Sequence, residues 1–314
     1  MSEETMNQEK HIRQEEHSPK SRSFLRNRAV VWVRRHWLIT LILVAIFIWT
    51  FIPLLWTISM SFKGVIELYT AKRMTFLPRQ PSLSNYIWMF DYLPDLPVYF
   101  KNSIFLTLGT VVLQTFCASL MGYAFARLEF KGRDLIFYTL IVAMFIPHAG
   151  WLMAQYRLMH TLHLRNSLPG LILLFSANLA VPTFIMRQTF LSMPREIEDA
   201  ARIDGASRWR LFLDIAIPFG ASGMMVVAIL TFVGVWGEYL TTFTMIDEPA
   251  KYTLGVGMAL FETGGAEVMQ ADGTVSAQGI QSAAYLMAAL PAIILYIAMQ
   301  KYFVKGMTEG ALKF

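Results

Sequence analysis

The chain has 314 residues, of which 55% are hydrophobic and 16% are charged, and this composition argues against a soluble globular domain. Its formal net charge is +5, but the basic residues flank apolar runs instead of forming one patch, which argues against nucleic acid as a partner. The single cysteine, Cys117, excludes an intrachain disulfide and a cysteine-based metal site. The expected fold class is all-α, a polytopic bundle of membrane helices.

The N-terminal segment, residues 1–36, is polar and mixed in charge. It lacks the short basic region and brief apolar core of a cleaved signal peptide at its start. We expect a largely disordered cytosolic tail that ends in a short basic surface helix near Arg34 and Arg35.

Six apolar runs between residues 37 and 304 are long enough to cross about 30 Å of hydrocarbon as helices of roughly 20 residues. The third run contains Pro147, where a helix kink is expected, and His148, a candidate residue of a transport pathway. The six predicted spans are Trp37–Ser59, Asn102–Ala126, Leu135–Met159, Leu168–Leu191, Phe219–Met245 and Gln281–Phe303.

The distribution of basic residues predicts the orientation of these spans. Of the 27 Lys and Arg residues, 19 lie on the side of the two termini and 8 on the other side. The positive-inside rule therefore places both termini in the cytosol. On the outside, the acidic loop Asp247–Gly279 and the loop Lys63–Tyr99 are either solvated loops or contact surfaces for an external soluble partner.

A charged stretch, "PREIEDAARIDGASRWRLFLDIAIP" from Pro194 to Pro218, joins the fourth and fifth runs on the cytosolic side. Proline suits the first helical turn, and Glu198 and Asp199 follow at the positive end of the helix dipole. Gly205 permits a sharp reversal of the chain. On these features alone, a helix lying on the membrane surface and a helix that docks into a partner both stay open.

The spacing within this stretch resembles the signature loop of ABC importer permeases, in which Glu-Ala-Ala is followed by three residues, Gly, nine residues and Ile-x-Leu-Pro. Asp199 stands in place of the Glu and Ile217 in place of the Leu, so the acidic side chain is one methylene shorter. The resemblance implies that residues 194–212 form a coupling helix. Its implied ATPase-coupling residues are Glu198, Asp199, Ala200, Ala201, Asp204, Gly205, Ile215 and Pro218.

Further segments resemble the carbohydrate, or maltose-type, branch of these permeases over about residues 35–314. They are "FIPLLWTISMSFK", "YAFARLEFKGRD", "WGEYLTTF" and "QKYFVKGMTEGALKF". The resemblance implies the type I permease architecture and a C-terminal cytosolic tail, residues 305–314, that reaches the ATPase interface through Gly306, Gly310 and Lys313.

The implied function is that of a permease subunit in an ATP-driven importer of an oligosaccharide or related sugar, in the bacterial inner membrane. The chain has no Walker-type sequence, so this subunit would not be an enzyme and would bind no cofactor itself. The implied partners are a second permease chain, two ATPase subunits that bind ATP and Mg²⁺, an extracytoplasmic sugar-binding protein and membrane lipid.

Within the spans, Glu238 is the conspicuous acid, and a pathway role and a structural role are both open for it. Trp236 and His148 are further candidate pathway residues. No basic residue lies deep in spans one, two, five and six, which favours a neutral sugar over a phosphate ligand such as glycerol 3-phosphate. Glycerol 3-phosphate and another polyol are the alternative substrates. An ATP-independent secondary transporter is a competing class, but no clear internal repeat supports it.

Overall fold

The computed structural model describes residues 36–64, 67, 75–146, 148–261 and 276–311. Within these ranges the chain is helical, and its sole extended pairing is an isolated bridge between Lys63 and Pro81. The chain divides into two units, residues 1–59 and 60–314. Most of the N-terminal tail, Pro147, the middle of the acidic loop and Lys313 lie outside the described residues.

The first unit contributes most of helix α1, Trp37–Ser61. The 25 residues of this helix have a mean hydropathy of 2.7 over the most apolar window and include no charged side chain. This length and composition suit a membrane span and confirm the first predicted helix.

The second unit contains the remaining helices, which are short wherever a predicted span is interrupted. They are α2 (Ser84–Tyr92), α3 (Leu96–Arg127), α4 (Arg133–Ala143), α5 (Leu152–Thr161), α6 (Leu168–Ser176), α7 (Ala180–Leu191), α8 (Arg195–Ile203), α9 (Arg208–Phe219), α10 (Ala221–Trp236), α11 (Leu240–Met245), α12 (254–261) and α13 (Ala277–Ala311).

Three helices in the described ranges, α1, α3 and α13, are long and apolar enough to span a membrane unbroken. Two further spans exist if each bent pair counts as one: α6 and α7 meet at 54°, and α9 and α10 meet at 73°. The predicted third span, 135–159, is instead divided into α4, a 3-10 turn at His148–Trp151, and α5. A proline restricts the preceding residue and offers no N–H, which favours a break where the sequence has Pro147. The total of six spans stays a prediction.

Helix α3 is the centre of the second unit, because α6, α7 and α10 all pack on it. Its small residues make this possible: Ala118 is fully buried and Ala126 nearly so. A Cβ added to Gly122 would lie 2.5 Å from Met186 Cβ and 2.8 Å from the backbone nitrogen of Arg187. The small residues Ala118, Gly122 and Ala126 recur at every fourth position, a pattern that predicts close helix packing, and the structure confirms it as the contact between α3 and α7.

A polar clasp joins the loop before α6 to the loop after α11. Asn166 has a left-handed backbone, with φ +54°, which asparagine tolerates better than most residues. Its N–H donates to Met245 O at 2.9 Å, and its side-chain oxygen accepts from the N–H groups of Asp247 and Glu248, each at 3.2 Å. Two of the acids in the predicted external loop are thus held by backbone contacts.

These two acids are also ion-paired. Arg165 donates to both carboxylate oxygens of Asp247 at 2.7 and 2.8 Å, and Lys251 pairs with Glu248 at 2.7 Å. The hydrogen bond from Lys251 and its positive charge lower the pKa of the Glu248 carboxyl below its ordinary value. In the described part of the acidic loop, the positive charges of Arg165 and Lys251 therefore offset the negative charges of Asp247 and Glu248.

The close contact at Gly122 generates a prediction about packing. Gly122→Ala forces α3 and α7 apart, because the added methyl group meets the Met186 side chain and the backbone of Arg187. We expect a loss of about 1–3 kcal/mol in stability, seen as a lower midpoint of thermal unfolding of the purified chain. Gly234→Ala is the matched control, because a Cβ at Gly234 has no heavy atom within 4 Å. An equal effect of both substitutions would contradict the packing account.

Candidate functional site

The first candidate site is the coupling segment, which we define as residues 194–218. Helix α8 begins directly after Pro194 and carries acids in its first turn, as predicted. The helix ends at Ile203, and Gly205, two residues later, has a φ of +83°, a left-handed conformation that favours glycine. The N–H of Ala206 donates to Ala201 O at 2.9 Å, which satisfies a carbonyl in the last turn of the helix. The predicted chain reversal at Gly205 is therefore confirmed.

One face of the coupling segment is open to solvent. Ile203 and Trp209 are 87% and 62% exposed, and Ile197 is exposed as well. Asp199, Ala200, Asp204 and Gly205 are exposed as well, whereas Ala201 is half-buried. Apolar side chains exposed in this way remain in contact with water unless another surface covers them.

Glu198 faces the opposite way from Asp199. Its side chain is 5% exposed and lies 3.5 Å from the guanidinium of Arg127, itself 5% exposed, at the end of α3. Arg202 approaches the other carboxylate oxygen at 3.6 Å. The sequence groups Glu198 with the coupling residues, but the structure separates it from the exposed face.

Arg127 makes a second set of contacts that ties three helices together. Its guanidinium donates two hydrogen bonds to Phe190 O, at 3.1 and 2.7 Å, and another to Met193 O. Those carbonyls lie at the end of α7, where backbone groups lack helical partners and attract a cation. One side chain therefore joins the ends of α3 and α7 to α8. We call this arrangement the Arg127 joint.

The C-terminal part of the coupling segment is a π-helix, Leu211–Ala216, inside α9. Pro218 explains it, because a proline has no N–H to donate to the carbonyl four residues earlier. Phe212 and Ala216 are buried in a cluster with Tyr123 and Phe190, and the half-buried Ile215 packs against it. Ile215 thus packs against the interior of the bundle, while Pro218 is exposed at the bend into α10.

The second candidate site is a cavity of about 480 Å³ among α3, α5, α6, α7, α10 and α11, which we call the central cavity. Its wall is mostly apolar, with a few amide, hydroxyl and carboxylate groups. A pocket with this mixture is typical of a site for a small polar molecule. The polar side chains that line it are Gln114, Gln155, Asn178, Thr231, Glu238 and Thr241.

Gln114 lies where the bent span of α6 and α7 is interrupted. Its amide nitrogen donates to Phe175 O at 3.2 Å and to Asn178 O at 2.6 Å, the carbonyls beside the break. Its amide oxygen accepts from the Thr231 hydroxyl at 2.5 Å. In hydrocarbon an unpaired carbonyl is costly, so this side chain stabilises the bend.

Glu238 plays the same part at the break between α10 and α11. Its carboxylate accepts from the N–H groups of Thr241 at 2.6 Å and Thr242 at 3.1 Å, and from the Thr242 hydroxyl at 3.0 Å. The acid is half-buried and lines the central cavity. Glu238 thus has a structural role and also faces the candidate pathway.

The other predicted pathway residues do not join Glu238. Trp236 is buried against Phe232, with rings 5.4 Å apart, and its indole N–H donates to Ala288 O at 2.8 Å. It does not line the central cavity. The backbone of His148 lies in a 3-10 turn, and its side chain is not among those described.

The predicted C-terminal tail is helical where it is described. Gly306 and Gly310 lie within α13, which runs without interruption from the sixth predicted span to Ala311. Lys313 is outside the described residues. Contact of this tail with an ATPase stays a prediction.

Two residues of the site were missed from the sequence. Arg127 stands in the quoted segment "YAFARLEFKGRD" at the end of a span, and a search for the counter-ion of Glu198 could have found it. Gln114 is an uncharged amide in the middle of an apolar run, and a search confined to charged residues overlooks it.

Comparison with known proteins shows the family. Residues 114–309 match the binding-protein-dependent transport system inner membrane component family. The chain is 33% identical over 262 residues to the sulfoquinovosyl glycerol transport system permease protein SmoH of Agrobacterium fabrum, covering 83% of this chain and 88% of SmoH. It is 31% identical over 279 residues to the arabinooligosaccharides transport system permease protein AraQ of Halalkalibacterium halodurans, covering 88% and 96%. It is 32% identical over 264 residues to the galactooligosaccharides transport system permease protein GanQ of Bacillus subtilis, covering 83% and 89%.

A solved structure has the same fold. It is described as a bacterial ABC transporter involved in the import of the acidic polysaccharide alginate, and it matches with a TM-score of 0.75 over 86% of this chain and 97% of that one. At 23% identity this match shows the fold alone. These relatives are transport permeases, not enzymes. The chain therefore belongs to the binding-protein-dependent inner-membrane components, as a permease component of an ABC importer of sugars.

Proposed function

We propose that this subunit forms half of the translocation pathway of an ATP-driven oligosaccharide importer and is coupled to an ATPase through residues 194–218. The observation that carries the proposal is the two-sided arrangement of α8. Its outer face exposes Ile197 and Asp199, while its inner face is anchored through Glu198 to Arg127. A helix fixed to the bundle on one side and open on the other is suited to receive a partner's motion.

The exposed face indicates what the partner must supply. Ile203 and Trp209 offer apolar area, and the exposed Asp199 and Asp204 offer negative charge. Such a surface fits a cleft with an apolar floor and a polar rim. Because this chain has no Walker-type sequence, the subunit that fills this role must bring the nucleotide site, with its ATP and Mg²⁺.

The Arg127 joint would carry the motion onward. A shift of α8 displaces Glu198, and the ion pair transfers the displacement to Arg127 at the end of α3. The same guanidinium holds the end of α7 through Phe190 O. Two spans that flank the central cavity would therefore move with the coupling segment, as alternating access requires.

The central cavity is the proposed pathway in this subunit, with Glu238 on its wall. The oligosaccharide assignment is supported by the names of AraQ and GanQ, which are permeases for arabinooligosaccharides and galactooligosaccharides. Trp236 has no contact with this cavity and would act by holding α10 against α13 through Ala288.

The proposed partners outside this chain are a second permease, different in sequence, and a soluble sugar-binding protein on the outer face. A solved alginate transporter is described in complex with an alginate pentasaccharide-bound periplasmic protein, and it shares this fold at a TM-score of 0.59 and 15% identity. The clasp around Asn166 would give such a protein an ordered outer surface. Both termini would be cytosolic.

The subunit composition tests the proposal directly. Tagged and purified gently from its own membranes, the chain should be recovered with two copies of an ATPase and one copy of a second permease. Measurement of the intact mass, together with identification of each member, gives this result. Recovery of the chain alone, or as an oligomer of itself, would reduce α8 to a surface helix.

The reversal at Gly205 provides a second test. Gly205→Glu puts a side chain in a left-handed conformation and a new charge on the docking face. ATP-driven uptake should fall by about tenfold or more, while the amount of chain in the membrane is unchanged. Gly205→Asn is the matched control, because asparagine tolerates this backbone and adds no charge. Unchanged uptake by Gly205→Glu would remove the docking role.

The Arg127 joint provides a third test, which separates coupling from folding. Glu198→Gln keeps the shape of the side chain but removes its attraction to Arg127. We expect more ATP hydrolysed per sugar imported, with basal ATP hydrolysis retained. Glu196→Gln is the matched control, because Glu196 is exposed in the same helical turn. A fall of uptake and hydrolysis in the same proportion would indicate a structural role only.

A further inference from the structure

The central cavity has an unbalanced charge. Seventeen residues line it; one of them, Glu238, is acidic, and none is Lys, Arg or His. Within the part of the chain that the structure describes, Glu238 forms no ion pair. Any molecule in the cavity therefore meets one negative charge and no positive one.

We infer that Glu238 is a specificity-determining residue that excludes anionic saccharides from this half of the pathway. The cavity would then take uncharged or cationic saccharides and reject those with sulfonate, phosphate or carboxylate groups. This inference rests on the proposed function, because it takes the central cavity to be part of the pathway.

The position of the charge is fixed. Three donors, the N–H groups of Thr241 and Thr242 and the Thr242 hydroxyl, hold the carboxylate at 2.6 to 3.1 Å. These donors belong to α11, which follows directly along the chain, so the carboxylate cannot swing away without freeing two backbone N–H groups. The carboxylate is thus a fixed part of the wall.

The rest of the wall suits an uncharged sugar. The side chains of Gln155 and Thr241 can both donate and accept hydrogen bonds, as sugar hydroxyls do. Leu230 and Pro182 give apolar area for the C–H faces of a ring. In a cleft with low-dielectric walls, a fixed charge repels a like charge more strongly than it does in open water.

The test uses a cysteine as a local probe of potential. In a Cys117→Ser background, Gly234→Cys places a thiol on the cavity wall, at a position where a Cβ meets no heavy atom within 4 Å. The assembled complex in membranes is treated with an anionic sulfonatoethyl and a cationic trimethylammonioethyl methanethiosulfonate. Each rate is divided by the rate of the same reagent with a small free thiol, and the cationic-to-anionic ratio is compared among variants.

We expect the cationic reagent to react faster, and Glu238→Gln to lower the ratio by about tenfold. Gln155→Lys is a second variant that leaves the hydrogen bonds of Glu238 to α11 intact, and it should lower the ratio as well. Asp91→Asn removes the same charge from α2, which does not line the cavity, and it should leave the ratio unchanged.

The two possible failures are distinguishable. A ratio that stays the same in both Glu238→Gln and Gln155→Lys overturns the inference but leaves the proposed pathway in place. Absence of reaction with either reagent shows that the cavity is closed to solutes, which overturns the pathway assignment and the inference with it. If Glu238→Gln fails to assemble, the Gln155→Lys result decides.

Discussion

A backbone polar group inside hydrocarbon must be hydrogen-bonded, and much of this molecule follows from that constraint. Helices α6 and α10 both end in the middle of a predicted span, and each break frees carbonyl or N–H groups. Gln114 donates to a free carbonyl at the break between α6 and α7, and Glu238 accepts from a free N–H group at the break between α10 and α11. Both side chains line the central cavity, so the cavity exists where two spans are interrupted and a polar side chain completes each one. Interrupted helices with exposed polar groups are a recurring way to build a transport site.

The same requirement acts at the other end of the bundle, where water is close. The carbonyls at the end of α7 are satisfied by Arg127, and the charge of Arg127 is in turn balanced by Glu198. A buried ion pair is a poor source of stability, because desolvation opposes the Coulomb attraction. The pair between Arg127 and Glu198 instead determines geometry, because it fixes the direction of α8 relative to α3 and α7. The exposed apolar face of α8 points away from the bundle as a consequence.

The helical character, the close contact at Gly122 and the reversal at Gly205 could all be predicted from the sequence. Each depends on a local property: an apolar run, a small residue at a helical repeat, or a residue free to adopt positive φ. The breaks inside spans four and five could not be predicted in the same way. An apolar run has the same composition whether its helix is straight or bent. The bend between α6 and α7 depends on Gln114, which is more than 60 residues distant from Phe175 and Asn178, whose carbonyls it bonds.

The roles of acidic residues were the least predictable. Glu198 and Asp199 are neighbours in sequence and share a favourable position near the helix start, yet one is buried and the other exposed. Sequence alone assigns both to the docking surface, because it does not show that Arg127 lies beneath the helix. Trp236 lies two residues before Glu238 in the sequence, but it packs on the opposite side of α10, against α13. Nearness in sequence therefore does not bring both side chains to the cavity.

Helix α3 joins the two candidate sites without a break. Gln114 and Arg127 lie 13 residues apart on α3, a distance of about 20 Å along a straight helix. A second connection runs from the coupling segment through α9 and α10 to Glu238. Packed helices transmit displacement with little compression, because protein interiors have crystal-like density. If α8 moves with a partner, as proposed, the displacement reaches Gln114 and Glu238, the two side chains that hold the interrupted spans in place.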